Sequence, residues 1–142
     1  MKTISLWQPW ATLVAVGEKQ YETRSWHTKY RGLLAIHASK RLEQIQKEYC
    51  LQEPFVSALH DHGFSQMNLP LGSIIAVVKI VDICKTDAVR ANLSRKEIAF
   101  GNYGEGRYAW KLEIVQCLAK PILMSGAMGL FEVADDLIMR FM

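Results

Sequence analysis

The chain has 142 residues, of which half are hydrophobic and 22% are charged; this composition is typical of a folded globular protein and excludes extended disorder. The length predicts a single domain over residues 1–142. The net charge of +3 does not by itself indicate a partner. The longest apolar run, from Gly72 to Cys84, is too short and too interrupted to cross a bilayer as a helix, so we expect no membrane contact.

The first predicted elements follow the opening "MKTISLWQPW". This segment has proline and polar residues where a secretory signal would carry its apolar stretch, so we expect a cytoplasmic protein. Pro9 at a helix start and Gly17 at a left-handed C-terminal cap predict a short helix from Trp10 to Val16. Aromatic and β-branched residues then predict strands from Gln20 to Trp26 and from Leu33 to Ser39.

Two helices and two long strands are predicted in the middle of the chain. Apolar residues that repeat every three or four positions indicate an amphipathic helix from about Arg41 until Pro54 interrupts it, and a shorter helix follows, ending at Gly63. Long apolar stretches predict strands from about Ile74 to Lys85 and from about Arg107 to Leu118.

Three shorter elements complete the predicted order. Between the long strands, "SRKEIAF" predicts a helix in which Ser94 and Glu97 have the spacing of a capping box. Near the end, "GLFEVA" predicts a strand and "DDLIMRFM" a final helix with Asp135 as its cap.

The element order predicts an α+β fold. Both alternating faces of Ile74 to Ile83 are apolar, which is typical of a strand that is covered on both sides at the centre of a barrel or under helices. We therefore expect a small barrel of about five or six mixed strands with peripheral helices.

Charge is unevenly distributed along the chain. Through residue 41 there are seven basic and two acidic residues, whereas the remainder has ten basic and twelve acidic residues. A basic N-terminal third favours an anionic partner on one face, although a solvated mixture of charges without function is the alternative.

The cysteines and histidines do not predict a metal or cofactor site. The three cysteines are far apart in apolar surroundings and are expected to be buried, inert thiols: Cys50, Cys84 and Cys117. His60 and His62 are two positions apart on a predicted helix, an arrangement that does not bring them to one metal. His37 lies in a predicted strand, where we expect a hydrogen-bonded structural role.

Lys19, Glu22 and Arg24 form an ionic cluster on the first predicted strand and the turn before it. Residues two apart on a strand point to one face, so Glu22 and Arg24 should lie together, with Lys19 leaning over the mouth of the sheet. One hypothesis is a pocket in which Arg24 binds a phosphate and Glu22 accepts from a base edge. The alternative is an exposed salt bridge that contributes little.

Aromatic residues surround this cluster. Trp7, Trp10 and Trp26 bracket it, and Pro9 stiffens the loop between the first two. Aromatic faces beside basic groups can stack an unpaired base while its backbone is neutralised. Filling of the hydrophobic core is the alternative role for each tryptophan.

The segment "GNYGEGRYAW" is the third candidate. Its three glycines allow close approach of a ligand to the backbone. Tyr108 and Trp110 share strand parity with Leu112 and Ile114, so we expect them inside, either in the barrel core or on the floor of a pocket at its end.

Four motifs together resemble one known family. Residues Gly17 to Arg24 match the pattern GxKxxExR, which follows "SLWQPWA" and precedes "GRYAW" and "MGLF". In this order the motifs resemble an ASCH domain of the PUA-like superfamily. The resemblance implies a small β-barrel with a cleft at one end, in modules that bind RNA or modified bases.

The resemblance also implies a set of site residues around the GxKxxExR segment. On this basis the expected partner is single-stranded RNA or a modified nucleotide, with no cofactor and no metal. The expected cleft residues are Trp7, Pro9, Trp10, Lys19, Glu22, Arg24, Tyr103, Tyr108 and Trp110.

Two alternatives to binding remain open at this stage. One branch of the family resembles amidohydrolases that deacylate acetylated cytidine with a lysine, a threonine and a glutamate. The position of that threonine is occupied by Glu22 in this sequence. Thr23 is the next residue, and strand alternation should turn its side chain away from the cleft. Other members resemble ribonucleases. An RNA-directed hydrolase with Lys19 and Glu22 as the catalytic pair is thus one alternative, and a protein-interaction module is the other.

Overall fold

The computed structural model describes residues 1–142, and a six-stranded sheet forms its centre. The strands are β1 (Lys2–Leu6), β2 (Tyr21–Arg24), β3 (Gly32–Ala38), β4 (Ser73–Lys85), β5 (Tyr108–Leu123) and β6 (Leu130–Glu132). The helices are α1 (Trp10–Ala15), α2 (Gln44–Cys50), α3 (Phe55–His60), α4 (Thr86–Val89), α5 (Arg95–Ala99) and α6 (Asp135–Met139), with one 3₁₀ turn at Arg90–Asn92.

The sheet is mixed and curls into a half-barrel. Its strand order is β2-β5-β4-β3-β1-β6, in which β1 and β3 are parallel and every other pair is antiparallel. The helices surround this sheet, which confirms the predicted α+β, PUA-like architecture. None of the helices combines the length and the apolar character that crossing a membrane requires.

Strand β4 lies inside the sheet, as its two apolar faces predict. Every residue from Ser73 to Val78 is buried, because helix α1 packs on one face and the C-terminal segment on the other. Trp110 of the neighbouring strand β5 is also fully buried in this core.

Strand β1 is the one strand that sequence patterns did not predict, and the short helix α4 and the 3₁₀ turn after it were also not predicted. It is only five residues long, and it is held by parallel pairing with β3 and antiparallel pairing with β6. Such pairing depends on residues far away in the sequence, so a local pattern does not reveal it. Its position matters because its C-terminal end leads directly into the candidate site.

Three helices begin or are capped differently from the prediction. Helix α2 begins three residues later than expected, after a capping box formed by Glu43 and Gln46. In α5 the Ser94 hydroxyl accepts from the backbone amide of Glu97, as predicted. The Glu97 side chain accepts from the backbone amide of Gln20 instead of completing the capping box. Asp135 is the first residue of α6 rather than its cap, and its carboxylate pairs with the N-terminal ammonium instead.

Strand β5 is longer than predicted, and it passes through a large irregularity. Ala76 pairs with Cys117 whereas Ile74 pairs with Ile122, so extra residues, including Pro121, bulge from the ladder. The expectation of three buried thiols is wrong for two of them. Cys50 is buried, but Cys84 is only half-buried and Cys117 is exposed.

Candidate nucleotide-binding cleft

A cavity of about 380 Å³ opens where the end of β1, the start of α1, β2 and the loop after α5 meet. We call this cavity the cleft. Its lining includes both aromatic and charged side chains: Trp7, Trp10, Lys19, Glu22, Arg24 and Arg107. It therefore brings together the predicted ionic cluster and two of the three tryptophans that bracket it in the sequence.

The carboxylate of Glu22 lies between two cations. Its Oε2 accepts a hydrogen bond from Arg24 Nε at 3.0 Å, and its Oε1 is 3.7 Å from Lys19 Nζ. The antiparallel pairing of β2 with β5 fixes this geometry, because it directs Glu22 and Arg24 to the same side of the strand, as predicted. Arg24 also donates from Nη2 to the carbonyl oxygen of Ser5, 3.2 Å away, which connects β2 to β1.

The sequence predicts that Lys19 leans over the mouth of the sheet, but in the structure Lys19 lies at the base of the cleft. Its side chain is 1% exposed, and Nζ donates to the carbonyl oxygen of Tyr21. Burial lowers the pKa of Lys19, because the charged form loses hydration, while the carboxylates of Glu22 and Glu97 oppose this effect. A larger fraction of neutral amine therefore exists here than on an exposed lysine.

Glu97 is a further charged group beside Lys19, and sequence reasoning treated it only as a cap. One carboxylate oxygen accepts from the Gln20 amide at 2.8 Å, and the other is buried without a partner. Burial raises the pKa of Glu97, although hydrogen bonding and Lys19 act in the opposite direction. A glutamate three residues after a serine gave no signal that its carboxylate would reach the base of the cleft.

Trp7 and Trp10 have different surroundings. The Trp7 side chain is partly open to solvent, with 40% of the residue exposed. Trp10 instead packs edge-on against Tyr49 and Phe55, with ring centroids 5.1 Å and 6.0 Å apart. Trp7 thus offers a free aromatic surface at the mouth, while Trp10 also joins the packing of α1 on α2 and α3.

Arg107 and Asn102 form one wall of the cleft; they lie in the glycine-rich segment that was the third candidate, but neither was among the expected cleft residues. Arg107 donates to the carbonyl oxygens of Asn102 and Thr23, at 3.0 Å and 3.3 Å. The Thr23 hydroxyl accepts from the Asn102 amide at 3.0 Å, so Thr23 contributes to the wall instead of turning away from the cleft. The loop containing Gly101 folds against this face of β2, which strand alternation alone could not reveal.

Four expected cleft residues lie elsewhere. Trp110 is fully buried and packs edge-on against Trp26 at 5.0 Å. Tyr103 is buried with its hydroxyl unpaired, and burial raises its pKa. Tyr108 packs against His27, and Pro9 occupies the cap position of α1. None of these four lines the cleft.

His37 has the surroundings of a structural residue, whereas the other three histidines are exposed. His37 is buried, and its two ring nitrogens lie 2.8 Å from Ser5 Oγ and from the Met124 carbonyl oxygen, as expected for a hydrogen-bonded core histidine. His62 pairs with Glu18 at 3.1 Å. No three histidine, cysteine or carboxylate side chains lie close enough to hold a metal ion.

Comparison with known proteins identifies the family. Residues 4–122 match the ASCH domain. The chain belongs to the ASCH-domain family. This is a PUA-like family associated with RNA binding, and the matched residues include every segment that forms the cleft.

Relatives of this ASCH domain support the fold. The chain is 32% identical over 79 residues to activating signal cointegrator 1 of human and of mouse; this covers 56% of the chain and only 14% of those much longer proteins. A crystal structure of ASCH from Zymomonas mobilis is similar over 98% of this chain and 91% of that chain, with a TM-score of 0.59 at 15% identity. A point variant of the same bacterial protein gives a TM-score of 0.57.

Proposed function

We propose that the cleft binds an unpaired base of single-stranded RNA, or a single modified nucleotide. The observation that carries this proposal is the exposed Trp7 at the mouth of a cleft that also contains the guanidinium groups of Arg24 and Arg107. Stacking on an aromatic ring and neutralisation of the backbone are the two interactions that single-stranded nucleic acids use most.

Glu22 supports a preference among bases. A carboxylate can accept about four hydrogen bonds, and Arg24 and Lys19 occupy only part of this capacity. The remaining lone pairs can accept a hydrogen bond from the exocyclic amino group of cytosine or adenine. Uracil has a carbonyl oxygen where cytosine has this amino group, and a carbonyl oxygen cannot donate. The cleft should therefore favour a base that carries an amino group.

Binding measurements on three variants test this proposal. We expect Trp7→Ala and Arg24→Ala each to weaken binding of single-stranded RNA by about tenfold, through lost stacking and a lost phosphate contact respectively. Arg24→Ala should also reduce the salt dependence of affinity. Lys120→Ala removes the same charge from an exposed site on β5 outside the cleft and serves as the control. Wild-type affinity in both Trp7→Ala and Arg24→Ala would contradict the proposal.

Hydrolysis of the same ligand is a second candidate function, and Lys19 is the observation that favours it. A buried amine with a lowered pKa, 3.7 Å from a carboxylate, can accept a proton from an attacking water. Mass spectrometry of an RNA pool that contains acetylated cytidine, before and after incubation with wild type and Lys19→Ala, tests it. Products that require Lys19 support a hydrolase, and an unchanged pool with the wild type contradicts it.

A further inference from the structure

We propose that a second cavity binds a backbone phosphate of the nucleotide adjacent to the one in the cleft. This cavity has a volume of about 550 Å³ and lies on the other side of the end of β1. Its lining includes Ser5, His37, Lys40, Arg41 and Gly126. This inference rests on the proposed function, because it extends the bound strand beyond the base in the cleft.

The charge of the second cavity favours an anion. No aspartate or glutamate lines it, and Lys40 and Arg41 lie at its edge. Lys40 forms no ion pair, and the one ion pair of Arg41, to Glu43, is long at 3.8 Å and exposed. Both cations are therefore free to contact a phosphate without first breaking a strong internal interaction.

The loop at residues 125–127 adds backbone donors. These residues are exposed and line the cavity, and none of their amides donates a hydrogen bond to another part of the protein. Consecutive free amides beside cationic side chains form a typical site for an oxyanion. The donors and the cations come from different segments of the chain, so the two observations are independent.

The floor of the cavity is rigid and polar. The Met124 carbonyl oxygen can only accept, so His37 Nε2 donates to it at 2.8 Å, and His37 Nδ1 lies 2.8 Å from the Ser5 hydroxyl oxygen. Gly126 lies directly over this pair: a Cβ atom there would come within 2.3 Å of Ser5 Oγ. Only a glycine fits at this position, so the loop that carries the free amides can approach the Ser5–His37 pair closely.

Ser5 lies between the two cavities. Its side chain lines the second cavity, its carbonyl oxygen accepts from Arg24 of the cleft, and the next two residues, Leu6 and Trp7, line the cleft itself. A strand whose base stacks on Trp7 can therefore pass Arg24 and place its next phosphate between the 125–127 loop and Lys40.

Removal of the two edge cations tests this inference. The test compares wild type with Lys40→Ala/Arg41→Ala in binding to cytidine and to a single-stranded RNA of about eight nucleotides. We expect the double variant to bind the oligonucleotide about tenfold more weakly, with a salt slope smaller by about 0.7, as for one lost phosphate contact on a single strand, and to bind cytidine as the wild type does. Lys120→Ala/Arg140→Ala removes the same charge from residues that line neither cavity and should bind both probes normally.

The possible results separate the two proposals. If the double variant and its control bind the oligonucleotide equally well, the second cavity does not contact the strand, while the proposed function of the cleft stands. If the double variant loses affinity for cytidine as strongly as for the oligonucleotide, the cations act on the cleft and the inference is also overturned. If the wild type binds cytidine but no oligonucleotide, only this inference fails, and if it binds neither probe, both proposals fail.

Discussion

Lys19 shows how strongly the surroundings of one residue determine its chemistry. Its ammonium group is buried at the base of the cleft beside Glu22 and Glu97. Burial is the largest influence on its pKa and the two carboxylates only partly compensate, so the neutral amine is favoured relative to a lysine in water. The same residue can thus act as a positive charge for a ligand or as a proton acceptor.

The lowered pKa of Lys19 leads to a prediction about stability. Between its folded pKa and the ordinary lysine value of 10.5, the unfolded chain binds more protons at Lys19 than the native protein does. The contribution of Lys19 to the free energy of unfolding therefore increases as pH rises through this window, and it is lost as pH falls through the folded pKa.

The Lys19→Met variant has no titratable amine at this position, so it is the reference protein for this prediction. We expect the free energy of unfolding of the wild type, relative to Lys19→Met, to increase as pH rises toward the ordinary lysine pKa of 10.5. Urea unfolding at several pH values measures this difference, and the groups common to both proteins cancel. A difference that stays constant or decreases over this range would show that the pKa of Lys19 is not lowered.

At the scale of elements, the sequence predicted most of the long features well. The apolar faces of β4 and the Pro9 and Gly17 signals around α1 are local, and Gly17 indeed adopts a positive φ of 85°. Glu22 and Arg24 share a face because strand alternation holds over the four residues of β2. These features depend on neighbours in the sequence, which is why a single sequence reveals them.

Features that depend on distant contacts were not predictable in the same way. Strand β1 is held by pairing with β3 and β6, and β5 bulges against β4. Arg107 and Glu97 reach the cleft region through loops and helix ends whose paths no local pattern describes. Trp110 has the inward parity that was expected, but parity cannot distinguish the core from the floor of a pocket.

At the scale of the whole molecule, several basic residues of the N-terminal third lie around the two cavities. The cations of the two cavities come mainly from the basic N-terminal third of the chain: Lys19, Arg24, Lys40 and Arg41. The fold brings them to either side of the end of β1, and the loop before β5 adds Arg107. A net charge of +3 is therefore compatible with a locally basic surface, which can attract a nucleic acid without a strongly basic protein.

Ultraviolet cross-linking of the protein to a single-stranded RNA of about eight nucleotides, followed by peptide mass spectrometry, tests the central claim most directly. The cleft predicts cross-links at Trp7, whose ring is partly exposed, and in the segment from Gly101 to Arg107. Cross-links confined to another surface, such as helix α6, would contradict the proposed site, and the absence of any cross-link would contradict RNA binding itself.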